Sequence, residues 1–186
     1  MCTVRRQSLV HGPSYSVDKT DLLTSRESGL IIKQVFGNIN GEHWIGNNKI
    51  YGLTNQASYK LRIDLEKFDG STTYAEYDSF WIEDENSNYT LHLGQYSGTV
   101  GDRMKAQHNN ALDGQPFTTF DRDNDSWGGN CAREYRGPWW YKECALSHLN
   151  SMYYPQEEGH WDGIVWPTWN SWYTLKSFIM KIQKYD

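Results

Sequence analysis

Residues 121–144 read DRDNDSWGGNCAREYRGPWWYKEC, an acidic loop running into what reads as a short hairpin, rich in aromatics, with a cysteine at each end. Asp121, Asp123 and Asp125 alternate, so in an extended or looped backbone their carboxylates converge from one side. Three converging anions either hold a cation or repel one another. The donors are oxygen alone, which selects calcium over zinc or copper, because calcium accepts about six to eight oxygens in irregular geometry. An EF-hand is excluded, since it needs glycine where Ser126 stands and a bidentate glutamate where Ala132 stands. A different loop fits these residues, with carboxylates from Asp123 and Asp125 and main-chain carbonyls from Trp127 and Gly129 as the chain curls through Gly128-Gly129. The competing reading is a solvated acidic turn.

Cys131 and Cys144 enclose a segment with a Gly137-Pro138 turn, and closing such a loop stabilises by about 3 kcal/mol in the chain-entropy model, so a disulfide is expected. Three reduced thiols are the alternative. Cys2 has no evident partner and is free, intermolecular or orphaned. Asn88-Tyr89-Thr90 and Asn124-Asp125-Ser126 are acceptor sequons, the second of which calcium coordination would bury. With the expected disulfide they point to a secreted, extracellular protein. The N-terminal stretch MCTVRRQSLVHGPSYSVD carries basic residues but no apolar run of the signal-peptide kind.

A chain of 186 residues suits one domain. Its core must be largely aromatic, because only 38% of residues are hydrophobic while 9 Trp, 13 Tyr and 6 Phe are present. Such side chains also stack well on ligands. A net charge of -5 without blocks of like charge argues against nucleic acid and anionic membranes as partners. No apolar run is long enough to insert into a bilayer.

Residues 1–34 are polar and unpatterned, a poorly ordered lead-in with one short apolar element at Leu30 to Val35. GEHWIGNNKIYGLTNQ has roughly helical spacing interrupted by Gly46 and Gly52, which predicts a short, irregular helix. SYKLRIDLEKF alternates strictly, with Tyr59, Leu61, Ile63 and Leu65 on one face and Lys60, Arg62, Asp64 and Glu66 on the other. TTYAEYDSFWI repeats the pattern after the Asp69-Gly70 turn, so the two segments are expected to form an antiparallel hairpin. NYTLHLGQY is a third candidate strand. Loops then dominate to about residue 170, and a metal and a disulfide are suitable organisers for so long a stretch. WYTLKSFIMKIQ returns to strand composition and is expected to join the first sheet.

These segments resemble the fibrinogen-related domains of fibrinogen chains, ficolins, tachylectins, angiopoietins and tenascins. The resemblance rests on FGNINGEHWIGNNKIYGLT, YKLRIDLEKFDGSTTYAEYDSF, NYTLHLGQYSGTVGD, FTTFDRDND, NCA, WWY, LSHLNSMYY, DGIVWPTW and WYTLKSFIMKI, in family order over about residues 35–183. It implies an α+β domain over 35–186, with a sheet part at about 35–100 plus 173–184 and a loop-rich calcium and ligand part at about 101–172. It assigns the Ca2+ ligands to Asp123, Asp125, Trp127 and Gly129, leaving Asp121 as a neighbour. It also implies the Cys131–Cys144 bond and a cis peptide at Glu143-Cys144. By position the family's ligand pocket maps to Tyr135, Glu143, Cys144, Ala145, His160 and Trp161, with Trp172 at its margin. Ala145 and His160 depart from the histidine and the tyrosine or phenylalanine of many members. Residues 1–34 lack the family's early strand with its GGGWTV-like run, so a sheet edge or core face is expected to stand open.

The function expected from this reading is calcium-dependent extracellular recognition, lectin-like, of acetylated glycans or related pattern molecules, without enzymatic activity. A protein-interaction module of the receptor-ligand or matrix type is the second reading, favoured by Ala145. A glycosidase would need Asp121 with Glu143, or Glu157 with Glu158, as its acid pair. The aspartates serve calcium better, and His108 and His148 read as structural.

Overall fold

A computed structural model describes residues 2–6, 36–37, 43–105 and 110–185. In chain order the elements are β1 (Cys2–Arg6), β2 (Phe36–Gly37), β3 (His43–Trp44), helix α1 (Asn47–Thr54), β4 (Tyr59–Glu66), β5 (Thr72–Tyr77), β6 (Phe80–Ile82), β7 (Leu91–Leu93), β8 (Tyr96–Gly98), α2 (Cys131–Glu134), α3 (Pro167–Asn170) and β9 (Ser177–Lys184). The architecture is α+β, built on an antiparallel sheet of order β1-β9-β4-β5-β8, with β2-β3 and β6-β7 as separate two-stranded ribbons.

The alternation in β4 becomes a two-faced strand. Leu61, Ile63 and Leu65 are buried and lie opposite Ile182, Met180 and Phe178 of β9. On the other face Lys181 donates to Asp64, Arg62 bonds Asp64 at 2.8 Å and Lys176 bonds Glu66 at 2.7 Å. The hairpin predicted across Asp69-Gly70 is present, with Leu61 opposite Tyr77 and Ile63 opposite Ala75. Helix α1 is short as expected, and it buries Asn47, Ile50 and Thr54, positions that share one helical face. Asn47 Oδ1 accepts from Trp44 Nε1 at 3.0 Å, which ties the helix entry to the aromatic core.

Three expectations are corrected. Residues 2–6 form a strand and are not an unpatterned lead-in: β1 pairs antiparallel with β9, so the edge expected to be open is covered. Five residues are too few for period-two alternation to stand out, and backbone pairing alone suffices to place them. The apolar element expected at Leu30 to Val35 lies outside the described residues. NYTLHLGQY is two strands serving different sheets, since β7 pairs with β6 and β8 with β5. The break falls at Gly94, where an added Cβ would lie 2.6 Å from the Ser79 main-chain nitrogen. The Cys131–Cys144 segment is a helical turn followed by isolated bridges, Thr118 with Trp139 and Lys142 with Cys144, and not a regular hairpin.

The aromatics of that segment supply core. Trp139, Trp140 and Tyr141 have no exposed surface. Trp140 packs edge-on to Phe117 at 4.9 Å and donates its indole N–H to the Tyr89 carbonyl at 2.8 Å. Burial of side chains this large dominates core energetics. Among the described residues no helix is long and apolar enough to cross a membrane.

Candidate functional site

The loop-rich half is organised around the disulfide between Cys131 and Cys144, whose Cα atoms lie 5.2 Å apart. Asn130 caps α2, its side chain accepting from Arg133 N at 2.9 Å and donating to the Thr119 carbonyl at 3.0 Å. Tyr135 follows directly, its N–H on the Cys131 carbonyl at 2.8 Å. The crosslink therefore joins the turn carrying Tyr135 to the segment carrying Glu143 and Ala145. Replacing both cysteines by serine is expected to lower stability by about 3 kcal/mol for a loop of this length, read as a fall in the urea midpoint. The expected cis bond at Glu143-Cys144 is not formed, as no described peptide is cis. The chain turns there through Cys144 at φ 64°.

Asp125 is the anchor of the acidic loop. One carboxylate oxygen accepts from Trp127 N at 3.1 Å, the other from Cys131 N at 2.9 Å, so the loop is bonded to the start of α2. Partial burial, with the Asp123 charge beside it, pushes its carboxyl up to about 6. Neither Asp123 nor Asp125 pairs with a cationic side chain among the described residues. Two crowded carboxylates without a positive partner are what a bound cation would relieve. Among the described residues no three acidic, histidine or cysteine side chains gather as a metal cluster. A cation here would need main-chain oxygens and water, which suits calcium. Asp121 is occupied elsewhere, accepting from the Thr119 hydroxyl at 2.7 Å.

Of the residues assigned to a ligand pocket, Tyr135 and Trp161 are brought together, their rings edge to face at 5.3 Å. Trp161 is 48% exposed. Ala145 and Cys144 are buried at 4% and 8% exposure, and Glu143 is exposed. Trp172 is 42% exposed. His160 does not join the aromatic pair. Its Nε2 lies 2.8 Å from Glu158, its Nδ1 lies 3.6 Å from Asp162, and its ring stacks on Tyr154 at 3.9 Å.

Behind this surface lie His148, read from the sequence as structural, and Asp162, which sequence reasoning missed. His148 is buried against Tyr135 with ring centroids at 4.7 Å, and its Nδ1 is 2.7 Å from the Ser151 hydroxyl. Burial pushes it down to about 3, offset only in part by the Trp161 main chain. Asp162 accepts from the Tyr154 hydroxyl at 3.0 Å and faces Arg136 at 3.6 Å. A histidine flanked by leucines at 146 and 149 was the available sign of burial. Nothing in the spacing linked Asp162 to Tyr154 or Arg136.

A protein-family model described as the fibrinogen beta and gamma chains, C-terminal globular domain, matches residues 30–185. Fibrinogen-like protein 1 of Bos taurus is 42% identical over 163 residues, covering 81% of this chain and 52% of its own length. Techylectin-5A of Tachypleus tridentatus is 43% identical over 150 residues, covering 80% of this chain and 50% of its own. The chain thus spans about half the length of these curated relatives. The solved fibrinogen-like globe domain of human ANGPTL2 superposes with a TM-score of 0.84 at 37% identity, covering 97% of this chain and 78% of that one. The early-strand departure, the acidic loop and the Cys131–Cys144 scaffold thus sit within one recognised architecture: the chain belongs to the family of the fibrinogen C-terminal globular domain.

Proposed function

We propose that the protein is a calcium-dependent extracellular recognition module that binds acetylated glycans or related pattern molecules at the Tyr135–Trp161 surface. The observation carrying this reading is the edge-to-face aromatic pair at 5.3 Å with Trp161 half exposed, set on the disulfide-closed scaffold. Aromatic faces of this kind stack on a sugar ring or enclose an acetyl methyl, and neighbouring main-chain groups add polar contacts. The lectin-type name of a relative 43% identical to the chain supports it. Asp123 and Asp125, with the carbonyls of Trp127 and Gly129, would hold the calcium. When bound, the ion neutralises the crowded carboxylates and fixes the loop that leads into α2.

A protein or peptide ligand is the second reading. It is favoured by a solved relative, lamprey fibrin D-dimer, 31% identical to the chain, which is complexed with a peptide ligand.

The test is binding to an array of acetylated and non-acetylated glycans, with calcium and with chelator. Calcium-sensitive binding to acetylated ligands, weakened about tenfold or more in Trp161→Ala and lost with calcium uptake in Asp125→Asn, is expected. Uniform silence across the array in calcium would reject the lectin reading.

A further inference from the structure

A second polar groove lies on the sheet half of the molecule, away from the acidic loop. It has a volume of about 490 Å³ and is lined by Thr54, Asn55, Gln56 and Ala57 through Tyr59 on one side and Ser79 through Trp81 on the other. No lining residue carries a formal charge. Among the described residues the side chains of Gln56, Ser58 and Ser79 make no hydrogen bond, so their donors and acceptors face the groove uncommitted. Trp81 is 37% exposed.

Both walls are held rigidly. Asn55 Nδ2 donates to the Ile82 carbonyl at 2.9 Å and to the Tyr51 carbonyl at 3.0 Å, and Ile82 N donates to the Thr54 hydroxyl at 3.4 Å. These bonds lock the turn after α1 against β6. The Trp81 indole is backed by the His92 ring, parallel within 11° at 3.8 Å, and His92 Nε2 is anchored on Glu83 at 2.7 Å. The indole is therefore an aromatic plate fixed before any ligand arrives, which removes an ordering cost from binding.

A fixed aromatic plate beside neutral amides and hydroxyls matches one ligand chemistry closely. A sugar presents an apolar C–H face for the ring and hydroxyls that both donate and accept. A charged ligand finds no counter-ion here, and an apolar one would strand the polar wall. We propose that this groove is a second binding site, selective for uncharged oligosaccharides and independent of calcium, with Trp81 as the stacking residue and Gln56, Ser58 and Ser79 as polar contacts.

The experiment follows the indole N–H resonance of Trp81, identified by its loss in Trp81→Phe, during titration of the whole chain with maltotetraose, cellotetraose, laminaritetraose and uncharged chitotetraose, in chelator. Movement of that resonance by at least one sugar, by a smaller amount at equal sugar in Gln56→Ala, and an affinity reduced about tenfold in Trp81→Ala when the same sugar is titrated by calorimetry, is the expected result. The Gln56 side chain is exposed and makes no hydrogen bond among the described residues, and its backbone bond to the Leu53 carbonyl is kept in alanine, so its variant keeps the fold. The proposal is overturned if no sugar moves the resonance at up to about 10 mM, the weak limit of useful affinity. It is equally overturned if the movement appears only when calcium replaces chelator, or if Gln56→Ala leaves the movement and Trp81→Ala leaves the calorimetric affinity unchanged. Because chelator silences the calcium-linked surface, failure there leaves this outcome untouched.

Discussion

Lowering the pH from about 7.5 to about 5 is expected to cost the fold about 2 kcal/mol through His148 alone. The sign follows from its burial. The folded ring is held neutral, down to about 3, whereas in the unfolded chain it protonates near the ordinary value of about 6.5. Its contribution is therefore complete above the unfolded value and is lost progressively as pH falls toward the folded one, reaching about 3 kcal/mol near pH 4. Asp125, pushed up to about 6, titrates inside this window with the opposite sign, in wild type and variant alike, while the paired carboxylates of the sheet act lower. Lys176 holds Glu66 below its usual range. Burial alone would raise Asp64, but its bonds to Lys181 and Arg62 outweigh that and lower it. Stability from these two is lost only as pH falls below the normal carboxylate range of about 4. Urea midpoints of wild type and His148→Gln between about pH 7.5 and 5 separate the two effects. The wild type is expected to lose stability across this window and the variant to lose much less. Equal slopes would show that His148 is not the group responsible.

Gly137→Ala is expected to destabilise by about 3 kcal/mol or more, the upper range for forcing atoms into a packed interior. A Cβ at this position would lie 1.9 Å from the Asn150 carbonyl oxygen and 2.8 Å from Ser151 Cα, all of it backbone that cannot rotate away. The two segments are joined on both sides of the contact. The Gly137 carbonyl accepts from the Tyr141 hydroxyl at 2.8 Å, and Asn150 Nδ2 donates to the Pro138 carbonyl at 3.3 Å. Displacing Ser151 also moves the hydroxyl that orients His148, and His148 backs Tyr135. The substitution should therefore weaken ligand binding as well as stability. Gly128→Ala is the control, since nothing lies within 4 Å of its added Cβ, and its melting temperature should stay close to wild type. A Gly137→Ala protein that melts with the control would refute the close approach.

Local sequence signals reached some of this structure and not the rest. β4 was legible because its buried face is written as strict alternation, and its hairpin partner because Asp69-Gly70 marks the turn. The acidic loop was legible because Asp123 and Asp125 are neighbours in sequence and remain neighbours in space. Trp139, Trp140 and Tyr141 looked equally suited to stacking on a ligand, and only packing assigns them to the core. The Tyr135–Trp161 pair spans loops without periodicity, so its assignment came from family resemblance and not from spacing. His160 was placed in the pocket by position, yet the carboxylates of Glu158 and Asp162 and the Tyr154 ring claim it. Such multi-residue clusters depend on how irregular segments fold back, which no local pattern encodes.

The place of β9 between β1 and β4 has a consequence for how the molecule is made. Its partners lie at the opposite end of the chain and more than a hundred residues upstream, Leu65 opposite Phe178 and Val4 opposite Met180. On a translating ribosome the keystone of the sheet therefore emerges after everything it must join. Until then β1 lacks the strand it pairs with among the described residues, and the hairpin of β4 and β5 offers the edge that β9 later covers. Assembly of the central sheet is a late, long-range event, of the kind that folds slowly and passes through states open to wrong pairing.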